Sequence, residues 1–378
     1  MNRVILFDTS NFANYPVGGQ VTSIKNFLHY VGEKFPTNNI LLVGVSTNVD
    51  EVGKLVKIKT EAGIVSFIPV AHANQDLNAI KKSLRVEYLK GLYRYKKVIN
   101  VNQSDCMYLH TPEAFVFTRV VARKNPCFVF SHGSYLNMLE HVRFFEKSPI
   151  VLNIFKQILL SVIKKSTGIF VLDKDTEKKY LKYSNRVYHV GNSIVCNNKF
   201  FERNIGKENP RLLFVGRLSS VKNIKPIIEA CKIFPTSCSL KIVGAGEMDK
   251  ELRQIANERV YFAGAVKPDE VKKYMMDSDI LVMNSLHEGI PMTILEALSY
   301  SMPIITTDVG GISEVVSFEY DSEKTDGSAE SIVEAINKIM RNYYFYSSNA
   351  FKKSLNYDYR IVNKKIFEII NQYLKWEI

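Results

Sequence analysis

Short unbroken apolar runs alternate along this chain with longer segments that carry apolar residues at helical spacing. "RVILFD" (3–8), "NILLVGV" (39–45), "DCMYLH" (105–110), "CFVFSH" (127–132) and "GIFVLD" (168–173) form one series. "RLLFVG" (211–216), "LKIVG" (240–244), "VYFAG" (260–264), "DILVMN" (279–284) and "PIITTD" (303–308) form a second. Runs continuous in Val, Ile, Leu and Phe suit parallel strands buried on both faces. Helical segments such as Gln20–Lys34 and Ile150–Lys165 supply the crossovers. Two strand–helix series in tandem predict an α/β chain with two doubly wound, Rossmann-like domains. A length of 378 residues also favours two cores over one. The boundary is expected in Gly191–Pro210, "GNSIVCNNKFFERNIGKENP", rich in Asn, Gly and charge. The domains are then 1–195 and 208–357, with Asp358–Ile378 an amphipathic helix ending the chain.

Composition narrows the partners. Fifty Lys+Arg stand against 38 Asp+Glu, a net charge of +12. That surplus points to an anion: nucleic acid, an anionic membrane or a phosphorylated small molecule. No nucleic-acid module is recognisable and the basic residues do not cluster as on a groove-reading helix, so nucleic acid is not expected. Cys106, Cys127, Cys196, Cys231 and Cys238 are scattered, with no CxxC pair, as in a reduced cytosolic chain. "MNRVILFDTS" lacks the marks of a signal peptide, and no run of about eighteen apolar residues predicts a membrane span.

Ligands of open α/β sheets bind beyond the carboxyl ends of the strands. "LLFVGRLSSVKN" runs from a strand into Gly216-Arg217, with Lys222 following. These cations read either as a phosphate clamp or as an ordinary solvated loop. "LKIVGAGEM" places Gly244, Gly246 and Glu247 after another strand. It lacks the third glycine of a dinucleotide fingerprint and reads first as a tight turn. "SLHEGIPMTILEAL" (285–298) is richer. Pro291 suits the first turn of a helix, which leaves the N–H groups of Met292, Thr293 and Ile294 free for an anion. Glu288 precedes that turn and Glu296 lies inside the helix. A helix-end charge preference accounts for Glu296 alone. Two acids beside an anion seat fit sugar hydroxyls beside a diphosphate, which are the two halves of a nucleotide sugar.

In the first domain Gly18-Gly19 lies between strand and helix, as a plain turn or as room for a ligand. His132, with Gly133, ends a strand and reads as structural or as a site residue. His29, His72, His110, His141, His189 and His287 have no comparable setting, except that His287 adjoins Glu288. No histidine–carboxylate cluster has ligand spacing, so no metal is expected.

The pattern resembles glycosyltransferase family 4, the retaining nucleotide-sugar-dependent enzymes of GT-B fold. The resemblance spans nearly the whole chain. It is carried by the Glu-x7-Glu stretch "EGIPMTILE" with the following "EALSYSMPIITTDVGGISEVV", by "VGRLSSVKN", and by "VGAGE" and "PVGGQ". It implies that Arg217 and Lys222 hold the diphosphate with Gly216 and Gly244 in the donor site. Glu288 then meets the transferred sugar near its reacting centre, and Glu296 the ribose hydroxyls. Gly289 and Ile290 offer amides to the sugar, ahead of Pro291 and the helix start. His132 contacts the donor sugar, while Gly18 and Gly19 border donor phosphate and acceptor. The first domain would bind acceptor and the second donor, with Asp358–Ile378 crossing back onto the first. Family members usually need no metal. Where the family's linker often reads Asn-Gly-Ile-Asp, this chain has Asn192-Ser193-Ile194-Val195.

The expected activity is transfer of a hexosyl unit from a UDP-hexose or UDP-N-acetylhexosamine, with retention, to a glycan or lipid-linked acceptor of bacterial surface polysaccharide. No cofactor is expected. Domain closure would align the acceptor and expel water. Two segments suit a peripheral place on an anionic inner membrane face: "KKSLRVEYLKGLYRYKK" (81–97) and "VLNIFKQILLSVIKK" (151–165). The alternatives are a solvated helix for the first and a buried core helix for the second. Rival functions are a nucleotide-sugar epimerase of the same fold and a non-catalytic sugar-nucleotide-binding subunit. The intact Arg/Lys and Glu-x7-Glu set favours catalysis.

Overall fold

A computed structural model describes residues 2–13, 19–73, 83–136, 149–203 and 209–376. The chain divides into two units: Met1–Asn192 with Tyr359–Ile378, and Ser193–Asp358. Residues 193–195, expected with the first domain, belong to the second, where the Ile194 N–H donates to the Tyr357 carbonyl at 2.9 Å.

The first unit is built on eight strands: β1 Val4–Phe7, β2 Ile40–Ser46, β3 Val56–Thr60, β4 Gly63–His72, β5 Cys106–Leu109, β6 Cys127–Ser131, β7 Gly168–Val171 and β8 Val187–His189. Their order is β3-β4-β2-β1-β5-β6-β7-β8, parallel except for the β3–β4 hairpin at the edge. Alternation along each strand feeds two cores, one on each face. Ile5 and Phe7 face one with Phe117 and Leu159; Val4 and Leu6 face the other with Phe27 and Phe367. The helix Tyr359–Leu374 packs on Gly19–Lys34, with Tyr359 stacked on His29 at 4.5 Å and Phe367 on Phe35 at 4.4 Å. The helix Pro149–Lys165 buries Leu159, Val162 and Ile163 but exposes Asn153, Ile154, Lys156 and Lys164. It is amphipathic rather than a buried core helix.

The second unit holds β9 Arg211–Val215, β10 Ser239–Val243, β11 Val260–Gly264, β12 Ile280–Met283, β13 Ile304–Thr306 and β14 Ser322–Lys324. The sheet is wholly parallel in the order β11-β10-β9-β12-β13-β14. Chain order reverses between β9 and β12, and in the first sheet between β1 and β5. Doubly wound sheets open a crevice for ligands at such reversals. Ile227, Ile228 and Ile332 cover one face of the second sheet; Ile294, Leu295 and Leu298 cover the other.

Candidate active site

The loops after β9 and β12 meet at the reversal of the second sheet. The loop after β9 carries a single 3-10 turn, Ser220–Lys222, closed by Asn223 in the left-handed region at φ 45°. The Leu286 N–H donates to the Val221 carbonyl at 2.8 Å, lacing this turn to the loop after β12. Asn284 directly follows that strand and donates to the carbonyls of Asn223 (3.2 Å) and Gly327 (3.0 Å). This lacing sets Lys222 beside Glu288: the Lys222 ammonium donates to Oε1 of Glu288. The Ser285 hydroxyl donates to the same oxygen at 2.6 Å. Both side chains are largely withdrawn from water, 22% exposed for Lys222 and 10% for Glu288. Thr307 Oγ1 donates to the Ser285 carbonyl at 2.6 Å and holds the loop from the far side.

The turn after Glu288 is pressed against Gly310-Gly311. Gly310 has φ 60°, and a Cβ there would lie 1.8 Å from the Glu288 carbonyl oxygen. The Gly311 N–H donates to the Gly289 carbonyl at 3.1 Å. At Gly289, by contrast, an added Cβ would meet nothing within 4 Å. Ile290 is half-buried beside it.

The helix itself begins one residue later than expected. Pro291 is its N-cap, in extended conformation, and Met292 its first residue. The Ile294 N–H is not free: it donates to the Pro291 carbonyl at 3.2 Å, because the first turn tightens to 3-10 spacing. The N–H groups of Met292 and Thr293 have no acceptor among the described residues. The anion seat therefore has two free amides rather than three. Glu296 lies just past the first turn, half-buried and without a hydrogen-bond partner among the described residues. Burial pushes its carboxyl up to about 7.

Arg217 is set apart. It is 75% exposed and pairs with Glu247 at 3.2 Å rather than with Glu288. Gly216 and Gly244 have packing work: the Gly216 N–H donates to Val243, the Gly244 N–H to Gly264, and a Cβ on Gly244 would lie 1.8 Å from the Gly216 carbonyl oxygen.

In the first unit Gly18 lies outside the described residues, and Gly19 is the exposed first residue of its helix. Gln20 reaches back to donate to the Asp8 carboxylate at the end of β1, and Ser10 donates to its other oxygen. Burial raises the Asp8 carboxyl to about 6 in spite of these hydrogen bonds. His132 follows β6 and meets His110, which follows β5, at 2.8 Å between His132 Nε2 and His110 Nδ1. His110 thus does have a strand-end setting, contrary to the sequence reading. Burial pushes His132 down to about 3 and His110 well below the usual range, so both rings are neutral at neutral pH. They line a cavity of about 280 Å³ with Gln20, Arg85, Thr111 and Tyr135. His110 Nε2, Thr111 Oγ1 and the Tyr135 hydroxyl are buried there without hydrogen-bond partners among the described residues.

Asn284, Ser285, Gly310, Asp8 and His110 had no assigned role in the sequence. Their signal was position alone, since each stands at or just beyond the carboxyl end of a strand. Among the described residues no group of three or more His, Cys, Asp or Glu could hold a metal, and no helix is long and apolar enough to cross a membrane.

Known proteins share this architecture. A HepE protein from Anabaena, solved in complex with UDP, superposes with a TM-score of 0.70 at 17% identity, over 98% of this chain and 100% of that one. The fold is GT-B. Residues 196–355, nearly all of the second GT-B unit, match the family model of the glycosyl transferases group 1. The uncharacterized glycosyltransferase MJ1607 of Methanocaldococcus jannaschii is 29% identical over 41% of this chain and 43% of its own length, so the match spans less than half of that relative. The O-antigen biosynthesis glycosyltransferase WbnH of Escherichia coli is 26% identical over 82% of this chain and 90% of its own. Together these likenesses show the GT-B fold of the chain and the family likeness of its second unit.

Proposed function

We propose that this chain is a retaining, nucleotide-sugar-dependent glycosyltransferase of family 4, whose second unit binds the donor. The observation that carries the reading is the joining of Lys222, Ser285 and Glu288 at the β9–β12 reversal, beside a helix start with two free amides. A diphosphate needs cations and N–H donors; Lys222, Arg217 and the amides of Met292 and Thr293 supply them. Without donor, Lys222 and Glu288 neutralise one another. Donor phosphate competes for the ammonium and releases the Glu288 carboxylate to the sugar. Gly289, with open space where a side chain would stand, leaves room for that sugar. Glu296, which has no hydrogen-bond partner to give up among the described residues, accepts the ribose hydroxyls. As the leaving diphosphate gains charge, the same cations and amides stabilise it. Retention follows either from two successive inversions, in which Glu288 displaces the diphosphate at the anomeric carbon and the acceptor hydroxyl then displaces Glu288, or from a front-face route in which the leaving diphosphate takes the acceptor's proton.

UDP is the proposed nucleotide, since HepE was solved with UDP and with UDP-glucose. The acceptor is a hydroxyl of a glycan or lipid-linked saccharide, in keeping with the O-antigen role of WbnH. The cavity of the first unit, with two neutral histidines and buried hydroxyls, suits sugar hydroxyls; Arg85, which also lines it, is paired with Glu113 at 3.4 Å. The exposed cations and apolar residues of Leu84–Arg94 and Pro149–Lys165 are assigned to an anionic membrane face.

The test is a screen of purified protein against a panel of nucleotide sugars for donor turnover, repeated with Glu288→Ala and Arg217→Ala. Turnover should fall at least about a hundredfold in Glu288→Ala. Full turnover in both variants would refute the site, and an isomerised sugar without acceptor would favour the epimerase.

A further inference from the structure

His110 and His132 share one proton. An imidazole pair joined Nδ1 to Nε2 at 2.8 Å needs one N–H and one lone pair, and both rings are neutral. Two arrangements satisfy that contact. In the first, His110 Nδ1–H donates to His132 Nε2, which leaves a lone pair on His110 Nε2 and an N–H on His132 Nδ1. In the second the donor is His132 Nε2–H, which leaves an N–H on His110 Nε2 and a lone pair on His132 Nδ1. His110 Nε2 decides between them, because it is buried and has no partner among the described residues. Orphaned buried N–H groups are rarer than under-satisfied acceptors. The residue is held in place: its ring stacks on Phe130 at 5.4 Å and 11°, and its backbone N–H donates to the Phe7 carbonyl at 2.9 Å.

We infer that His110 is a positioning residue that fixes His132 as the Nδ1–H tautomer, so that His132 presents a hydrogen-bond donor, not an acceptor, to a sugar oxygen in the first-unit cavity. The chemistry served is recognition of a hydroxyl or ring oxygen by a neutral donor whose proton is held in place by a second ring. The ligand class rests on the transferase reading; the tautomer does not.

Long-range 1H–15N correlation of the imidazoles in the full-length protein reads the tautomer directly, with His132 assigned by its loss in His132→Phe. The expected spectrum shows a protonated Nδ1 and an unprotonated Nε2 for His132. His110→Asn, whose amide nitrogen stands where Nδ1 stood, should keep that pattern. His110→Phe preserves the stack on Phe130 but removes the donor. It should give His132 mixed tautomers and lower kcat by roughly tenfold at a similar donor KM, with His110→Asn restoring most of the rate. A His132 protonated at Nε2 in the parent protein, or an unchanged His132 spectrum in His110→Phe, would overturn the assignment. Loss of the pattern in His110→Asn would also overturn it, with thermal unfolding checking that each variant is folded. A protein that turns over no nucleotide sugar but shows the expected spectrum refutes the transferase reading and leaves the tautomer standing.

Discussion

Glu296 carries a conflict between stability and binding that can be measured. Its folded-state carboxyl lies at about 7 against an ordinary 4.5, raised by burial. The folded state therefore holds the proton more tightly than the unfolded chain. The stability this provides is fully present below about pH 4.5 and is lost as pH rises through 7, on the order of 3 kcal/mol in all. Glu296→Gln removes the charge at similar shape. It should unfold roughly 3–6 °C higher than the parent at pH 8 and at about the same temperature at pH 4, read by thermal scans at both. The same change should weaken donor binding most at pH 8, where the parent carboxylate is ionised and accepts two hydroxyls. Donor titrations at pH 6 and 8 check this: parent affinity should rise with pH, and that of the variant should not.

At the scale of elements, the glycines on either side of the Glu288 turn separate folding from binding. Gly310→Ala meets a left-handed φ of 60° and a backbone oxygen 1.8 Å from the new Cβ. It should cost about 1–3 kcal/mol from the strain alone and displace Glu288, seen as a lower unfolding midpoint together with weaker donor binding. Gly289→Ala has open space for its Cβ, so it should leave the midpoint unchanged and reduce donor affinity only. The elements differ in how far the sequence disclosed them. β1, β2, β5 to β7 and β9 to β13 are apolar runs and were legible as strands. The "VKIKT" of β3 alternates exposed and half-buried positions at a sheet edge, and β8 and β14 are three-residue edges, so none of these stood out. Glu288, Lys222 and Glu296 were legible in the sequence as candidates. The ion pair joining the first two was not, because it depends on β9 lying next to β12, a matter of sheet order. The engaged Ile294 amide was missed for a similar reason, since a 3-10 closure depends on Pro291 being extended rather than helical.

At the scale of the whole molecule, the proposed membrane contact draws on the net charge of +12. Arg85, Lys90, Arg94, Lys96 and Lys97 are exposed with Val86 and Val98 on one stretch, and Lys156, Lys164 and Lys165 with Ile154 on another. Binding to anionic lipid should be worth about 1 kcal/mol per cation near the surface and fade as salt is raised. The full-length chain should sediment with vesicles containing anionic lipid and not with neutral ones; equal sedimentation with both would remove the membrane assignment. The other consequence at this scale concerns how the chain is made. The first unit is assembled from two stretches separated by the entire second unit. Its apolar face, with Val4, Tyr30, Val31 and Phe35, is covered by Val362, Ile366, Phe367 and Ile370. On a ribosome that face emerges early and waits, uncovered, while Ser193–Asp358 is synthesised and free to fold. The unit translated first is thus the last to be completed, and an interruption of synthesis before Tyr359 leaves an aggregation-prone first half attached to a finished second one.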